Sequence, residues 1–289
     1  MAGQNPSRSA PDFGSRHSGS AAAFAYSCTN APRTPDRTRI IALGDSLTYG
    51  KAIAAFWAYP AQLGRGLKRN FDVEVLNLGA PGTSSEQILE NLRTFLPQLD
   101  PDLVFYGVCL NDFEPAGYTH ERRWVVPIPH GVEKFIIRRT RLGRFLNHRY
   151  DQLMRDLGVR PDFDSNILVD FDSRTARFGS DVEKMNAIVV EAALPPVVAM
   201  VLNTDTSGSS RNKRMVDAAE ESLREAGMDV IPSAPFSRAF SGRDFSVSRW
   251  DGHPNEEANA IWAKMLWQYF VGRPEFKRHR SARSPSAEP

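Results

Sequence analysis

The chain has 289 residues, of which 41% are hydrophobic and 24% charged, and its formal net charge at pH 7 is +2. This length suits one large domain, or one domain carrying an insertion and loose ends, with enough chain to bury a substantial core. The near balance of charge argues against a dedicated nucleic-acid-binding protein, and no stretch approaches the roughly 18 apolar residues of a membrane-spanning helix.

The two ends of the chain are predicted to lie outside the fold. Residues 1–37 are rich in Ser, Ala, Pro, Gly and Arg and show no helical or strand period, which predicts a disordered leader. The apolar piece at 21–26 is too short and too weakly apolar for a signal-peptide core, so we expect a cytoplasmic protein. Cys28 and Cys109 are expected to be reduced thiols. The basic tail at 273–289 is expected to be loose, which leaves 38–272 as the folded domain.

Short apolar runs alternate with helical patterns through this domain. Strands are predicted at 40–43, 71–78, 102–108, 197–202 and 228–231, and helices at 56–67, 83–99, 181–193, 211–226 and 255–270. Parallel strands need crossover connections, so the alternation predicts a three-layer α/β/α fold with about five parallel strands.

Residues 114–180 interrupt the alternation after the third strand and are interpreted as an insertion. Their strongly basic stretch, at about 132–157, is predicted to be helical. Two interpretations of its charge stay open: a solvated helix face, or a lid whose cations meet an anionic or polysaccharide substrate. Since the insertion begins just after Asn111 and Asp112, we expect it to lie over the rim of the sheet and to set substrate choice.

Polar residues follow several predicted strand ends, which open α/β sheets gather at one rim. Ser46 follows the first strand in Gly44-Asp45-Ser46 and is a candidate nucleophile, although Asp45 or Ser46 could simply cap a helix or turn. Gly79 follows the second strand and could present a backbone N–H, or be only a turn glycine. Asn111 follows the third strand and could donate a neutral side-chain N–H, or cap the strand end.

Serine ester hydrolysis also needs a base near the nucleophile and a group that orients this base. Of the six histidines, His253 alone stands just ahead of a core helix, and Asp251 precedes it by two residues. His253 would take the serine proton while Asp251 orients the imidazole and stabilises the imidazolium. The alternatives are a structural histidine and a surface-turn aspartate.

Four blocks carry a resemblance to a known family. They read G-D-S-L-T-Y-G around Ser46, N-L-G-A-P-G around Gly79, N-D at Asn111-Asp112 and D-G-H-P-N around His253. Together, in this order, they resemble the SGNH hydrolase superfamily, also called GDSL esterases/lipases. The resemblance implies a flavodoxin-like fold and a triad of Ser46, His253 and Asp251. It also implies oxyanion donors at Ser46, Gly79 and Asn111. We further predict that Asp45 and Asp112 support the site, and we expect no metal or cofactor.

The chain departs from the family pattern at two positions. Cys109 replaces the glycine of G-x-N-D, and the usual D-x-x-H is shortened to Asp251-Gly252-His253. The shortened spacing is similar to that of SGNH relatives that act in polysaccharide O-acetylation.

Our leading prediction is a serine esterase that cleaves O-acetyl or other short-acyl esters through an acyl-enzyme. An O-acyltransferase acting on a sugar hydroxyl and a catalytically silent carbohydrate-binding protein remain as alternatives. The expected partner is a small-molecule or saccharide ester, with no nucleic acid and no membrane span.

Overall fold

The computed structural model of the protein describes residues 37–115, 140–159, 163–205, 208–233, 243–248, 251–273 and 276. The predicted leader, except for its last residue, and the tail beyond residue 276 lie outside these residues, as does the part of the insertion at 116–139.

Five parallel strands form the central sheet, which confirms the predicted fold class. They are β1 (Thr38–Gly44), β2 (Val73–Asn77), β3 (Leu103–Val108), β4 (Val198–Val201) and β5 (Asp229–Ile231). Their order is β2-β1-β3-β4-β5, so the chain first moves outward from β1 and then crosses back over it to β3. This reversal creates a crevice at the carboxyl ends of β1 and β3, where α/β sheets place their ligands.

Eight α-helices occur among the described residues. They are α1 (Ser46–Tyr49), α2 (Tyr59–Leu67), α3 (Ser85–Leu99), α4 (Arg141–Asp156), α5 (Phe163–Leu168), α6 (Phe171–Glu191), α7 (Ser210–Glu225) and α8 (Glu256–Val271). Short 3₁₀ turns occupy Ala55–Trp57 and Leu110–Phe113. No described helix is both long and apolar enough to cross a bilayer.

Two predicted helices have different starting points in the structure. The first crossover helix begins at Tyr59, since Ala55–Trp57 form a 3₁₀ turn and Pro60 is accommodated in the first turn of α2. Helix α6 begins ten residues before the predicted Asp181. Its first half carries many polar residues, but Phe171 and Phe178 anchor it to the core, which the sequence period alone did not reveal.

Apolar side chains cover the sheet on both faces, as the continuous apolar runs of its strands require. Alternate residues of β1 point to opposite sides: Ile41 and Leu43 join a core with α3, α6 and α7, whereas Ile40 and Ala42 join a core with α2 and α8. The strands are therefore fixed in register, and so are the polar residues that follow them.

The C-terminal helix packs beside the first crossover helix. Asn259 of α8 accepts a hydrogen bond at 3.0 Å from the backbone N–H of Tyr59, and the rings of Tyr59 and Trp262 meet edge to face at 6.1 Å. Tyr59 also reaches α1, where its hydroxyl lies 2.9 Å from Thr48 Oγ1. One buried tyrosine thus joins the helix that opens with Ser46 to the helix that follows His253.

A small antiparallel hairpin precedes α8. Its strands are β6 (Ser246–Ser248) and β7 (Asp251–Pro254), and they form a two-stranded sheet separate from the central one. The sequence analysis predicted no strand in this region, because S-V-S and D-G-H-P lack the apolar alternation typical of strands.

Candidate active site

A sharp turn joins β1 to α1 and presents Ser46. Gly44 adopts φ +151°, and a Cβ at this position would come 2.6 Å from the carbonyl oxygen of Gly107 on the neighbouring strand, so the turn requires glycine. Asp45 caps α1 by accepting a hydrogen bond at 2.8 Å from the backbone N–H of Leu47. The capping role considered for Asp45 is therefore present, and it places Ser46 at the first position of the helix.

The carboxylate of Asp45 connects two of the candidate residues by hydrogen bonds. Its Oδ2 accepts hydrogen bonds from Ser46 Oγ at 2.9 Å and from Asn111 Nδ2 at 3.1 Å. Asp45 is fully buried and Ser46 is 7% exposed. The candidate nucleophile and a candidate oxyanion donor are thus brought together, and in this structure the serine hydroxyl donates to Asp45.

Gly79 lies directly against α1. A Cβ on Gly79 would overlap the backbone N of Tyr49 and come 2.7 Å from the carbonyl carbon of Thr48, so packing alone excludes a side chain here. The Gly79 N–H donates at 2.9 Å to Asn77 Oδ1, and Asn77 Nδ2 donates at 2.8 Å to the Thr48 carbonyl. The sequence analysis missed Asn77, although an Asn two residues before a strand-end glycine is typical of a side chain that closes its own turn.

Asn111 stands on a 3₁₀ turn that the core fixes in place. Phe113 of this turn is fully buried, and its ring centroid lies 4.7 Å from that of Phe178 on α6. The backbone carbonyl of Phe113 also accepts a hydrogen bond from Arg177. Helix α6 therefore supports the turn that carries Asn111.

The Asn111 side chain has its amide group oriented by Asp45. Its Nδ2 must face the carboxylate, since two oxygens cannot share a hydrogen bond without a proton. Its buried Oδ1 has no hydrogen-bond partner among the described residues. Nδ2 carries two hydrogens, and Asp45 takes one, so the second can serve an oxyanion.

Asp112 is a buried acid beneath this turn. Its Oδ2 accepts hydrogen bonds from Tyr106 Oη at 2.7 Å and from the Cys109 backbone N–H at 3.0 Å. Burial, followed by the nearby charge of Asp45, raises the pKa of Asp112 well above its ordinary value. Burial likewise raises the pKa of the Tyr106 hydroxyl and of the Cys109 thiol, with further contributions from both aspartates. Cys109 is thus a protonated thiol rather than a reactive thiolate at neutral pH.

The hairpin holds the second half of the site. Asp251 Oδ1 accepts two hydrogen bonds from His253, one at 3.0 Å from the backbone N–H and one at 2.6 Å from the ring Nδ1. Nδ1 must carry a proton to donate to a carboxylate, so in the neutral form of the imidazole Nε2 is the acceptor. The shortened spacing therefore still pairs the acid with the imidazole.

The pKa of Asp251 lies below its ordinary value. Partial desolvation alone would raise it, but the two hydrogen bonds from His253, together with the positive charges of His253 and Lys51, outweigh desolvation and lower the pKa. An ionised Asp251 is the form that can stabilise an imidazolium.

The two halves are neighbours. Residues of β7 and of α1 approach within 8 Å, measured between Cα atoms. Asn255 caps α8 directly after the hairpin, with Oδ1 accepting from the backbone N–H groups of Glu257 and Ala258 at 3.1 Å. This cap and the Asn259–Tyr59 hydrogen bond hold the histidine segment on the side of the molecule that carries Ser46.

Solved structures with the same fold include several ester hydrolases. The chain resembles a lipase/acylhydrolase from Enterococcus faecalis with TM-score 0.52 and 16% identity, over 80% or more of both chains (82% of this one and 96% of that one). It also resembles the psychrotrophic esterase EstA from Pseudoalteromonas sp. (TM-score 0.51, 12% identity, 82% and 100% covered). A third is a GDSL-like lipase from Bacteroides thetaiotaomicron (TM-score 0.50, 11% identity, 86% and 96% covered). At such identities these likenesses establish the fold.

A comparison with curated protein sequences gave no significant match. The sequence profile of the GDSL-like lipase/acylhydrolase family, in contrast, matches residues 42–261, a span that includes Ser46, Gly79, Asn111 and His253. The chain belongs to the GDSL-like lipase/acylhydrolase family of hydrolases.

Proposed function

We propose that this family member is a serine esterase that cleaves O-acetyl or other short-acyl carboxylic esters through an acyl-enzyme. The pairing of Asp251 with His253 beside the helix that opens with Ser46 is the observation that carries the proposal. In this assignment Ser46 is the nucleophile, His253 the general base and acid, and Asp251 the group that orients the imidazole.

The reaction proceeds in two halves. His253 Nε2 takes the proton of Ser46 Oγ while this oxygen attacks the ester carbonyl, and the imidazolium then protonates the departing alkoxide to give the alcohol and an acyl-serine. Water then attacks the acyl-serine, with His253 again accepting and returning one proton, to release the carboxylic acid and Ser46. The N–H groups of Ser46 and Gly79 and the Asn111 amide donate to the oxyanion in both halves.

Two hydrogen bonds must be exchanged when substrate binds. The Ser46 hydroxyl has to turn from Asp45 towards Nε2, and the ester oxygen has to replace Asn77 Oδ1 as the acceptor of the Gly79 N–H. Each donor keeps a partner in these exchanges, and Asp45 retains its hydrogen bonds from Leu47 and Asn111. Asn77 Oδ1, on a partly buried residue, gives up the hydrogen bond from Gly79. Asp45 and Asn77 then act as internal acceptors that keep the donors ordered between turnovers.

Transfer of the acyl group to a sugar hydroxyl is the second candidate, and the Asp251-Gly252-His253 spacing is the observation that favours it. The same acyl-serine would form, and a sugar hydroxyl would replace water in the second half. Product analysis with a donor ester and acetylatable oligosaccharides separates the two: hydrolysis predicts free acid as the main product. Transfer product in excess of free acid would overturn the esterase proposal.

Replacement of the candidate nucleophile tests the mechanism directly. We expect Ser46→Ala to lower p-nitrophenyl acetate hydrolysis by about 10⁴-fold or more, since the acyl-enzyme can no longer form. A fluorophosphonate probe should label the wild-type chain and not this variant.

Ser173→Ala, an exposed serine on α6, serves as the matched control and should retain both hydrolysis and labelling. Activity retained by a folded Ser46→Ala protein would refute the nucleophile. A folded wild-type chain that neither reacts with the probe nor hydrolyses any ester would instead favour the silent carbohydrate-binding alternative.

A further inference from the structure

Helix α4 presents a large apolar surface to solvent. Four apolar residues of α4, and Leu157 directly after its end, are at least half exposed, from 50% for Leu153 to 66% for Leu142. The set is Leu142, Phe145, Leu146, Leu153 and Leu157. At about 100° per residue these positions fall within an arc of about 120° on one side of the helix. Helix positions 149 and 156, an Arg and an Asp, also fall within this arc, so charged residues interrupt the apolar surface. Five large apolar side chains exposed on one side of a helix still indicate a binding surface.

The same part of the chain is strongly basic. By sequence, residues 134–160 carry eight Lys or Arg and two Asp, a formal charge of +6, whereas the whole chain has only +2. The rest of the protein is therefore net acidic. Within this segment, the sequence of α4 itself holds four arginines against two aspartates. The basic charge had two interpretations from the sequence, a solvated face or a lid, and neither requires exposed leucines.

The combination of an apolar arc with concentrated positive charge discriminates between partners. A nucleic acid would match the charge but leave the leucines in water. A second copy of this helix would cover the leucines but bring two strongly basic segments together, which like-charge repulsion opposes. A bilayer with anionic headgroups satisfies both features, because the arc enters the acyl boundary while the cations meet headgroup phosphates.

We infer that α4 binds the surface of an anionic lipid bilayer and lies in the plane of the interface. This binding does not depend on the esterase proposal, since it uses none of the candidate catalytic residues. Helix α4 is also close in sequence to the candidate active site. The next helix, α5, begins four residues after Val159 and contacts the 3₁₀ turn that carries Asn111. A docked α4 would hold the candidate active site close to the lipid surface.

Vesicle co-sedimentation with the full chain tests the inference. The probes are vesicles of phosphatidylcholine alone and of phosphatidylcholine containing about one third phosphatidylglycerol. We expect the protein to partition onto the anionic vesicles about tenfold or more better than onto the neutral ones, and about 0.5 M NaCl should remove most of this preference.

The double variant Leu146→Glu/Leu153→Glu places two carboxylates in the arc and should lower partitioning by about tenfold or more. Val190→Glu is the matched control, since Val190 is an apolar residue on α6 that is also about half exposed, at 49%, and this variant should bind like wild type. A second pair, Leu142→Gln/Leu157→Gln, tests the same arc without adding charge. All variants should keep the wild-type rate on soluble p-nitrophenyl acetate, which also reports that they are folded.

Equal binding to neutral and anionic vesicles, or a folded double variant that binds like wild type, would overturn the inference. A concentration-dependent dimer that the double variant abolishes, with no vesicle binding, would assign the arc to self-association instead.

Discussion

The two halves of the candidate site differ in how deeply their residues are buried. Asp45 and Ser46 are 0% and 7% exposed and follow β1, an interior strand of a sheet covered on both faces. The side chains of Asp251 and His253 are 37% and 23% exposed and stand on a two-stranded hairpin outside that sheet. One half is positioned by the whole core, and the other by the pairing of β6 with β7 and by the cap of α8.

This difference indicates what each half can tolerate. Changes around Ser46 disturb buried hydrogen bonds and close backbone contacts, so their effects on activity and on stability are coupled. Changes in the hairpin leave the core untouched and report on chemistry alone. The sharpest tests of mechanism therefore lie on the hairpin.

The largest effect is expected for His253→Ala. Loss of the general base should lower kcat/KM for p-nitrophenyl acetate by about 10⁴-fold or more, while the melting temperature stays near that of wild type because the side chain is partly exposed. His279→Ala, in the tail beyond the described residues, is the control. A large drop in melting temperature would show that the hairpin is more important to the fold than the comparison implies.

A smaller loss, by about 10²- to 10⁴-fold in kcat, is expected for Asp251→Asn. The amide oxygen can still accept from His253, but it carries no charge to stabilise the imidazolium. Asp244→Asn is a matched control, since Asp244 also accepts a backbone hydrogen bond near the hairpin, from Ser246 at 2.9 Å, without touching the histidine.

The pH profile of the same variant sharpens the assignment. Because the pKa of Asp251 lies below its ordinary value, this acid stays ionised as the pH falls to about 4. An acid limb of kcat/KM above that pH must then come from another group, so Asp251→Asn should lower the plateau without abolishing the limb. A limb that disappears in the variant would contradict this.

Removal of a single oxyanion donor should cost less. Asn111→Ala is expected to lower kcat by about 10²- to 10³-fold with little change in KM, since the amide acts on charge that develops only in the transition state. Asn70→Ala, an exposed asparagine after α2, should have no effect. An increase in KM at constant kcat would mean that Asn111 only binds substrate.

The smallest effect is on stability and concerns the buried half. The pKa of Asp112 is higher in the folded chain than in the unfolded chain. At a pH between these two pKa values, the folded chain therefore binds more protons than the unfolded chain. The stability of the wild-type protein falls as the pH rises through this range. Asp112→Asn removes this contribution while its amide can still accept from Tyr106 and Cys109. The free energy of unfolding of the variant relative to wild type should therefore increase as the pH is raised from about 5 to 8.

Denaturant unfolding at both ends of that pH range measures this shift. Asp217→Asn, an exposed aspartate on α7 paired with Lys213, is the control and should show little pH dependence. A constant difference between Asp112→Asn and wild type would mean that Asp112 is ionised in the folded protein.

Sequence reasoning located the central elements well because apolar runs and helical periods report burial directly. The five strands and the helices flanking them were predicted within a few residues, apart from the start of α6. The four blocks also named the candidate site residues, whose catalytic roles stay predictions. The boundaries of the insertion, its effect on substrate choice and the expected cytoplasmic location stay predictions as well.

The network around Asp45 could not be predicted in the same way. Its hydrogen bond to Asn111 spans 66 residues, and no local pattern encodes which of two oxygens accepts it. The role of Asn77 and the β6–β7 hairpin were missed because both depend on polar backbone contacts rather than on apolar periodicity.

Tyr59 connects the first crossover helix to Thr48 near the start of the domain and to Asn259 near its end. Tyr59 and Asn259 are 200 residues apart in the sequence. During synthesis, the serine segment therefore emerges long before the helix that holds the imidazole against it. If Ser46 and His253 act as proposed, a ribosome-bound chain that lacks α8 would carry both residues without the packing that keeps them neighbours. We therefore expect such a nascent chain not to hydrolyse esters until α8 has been made.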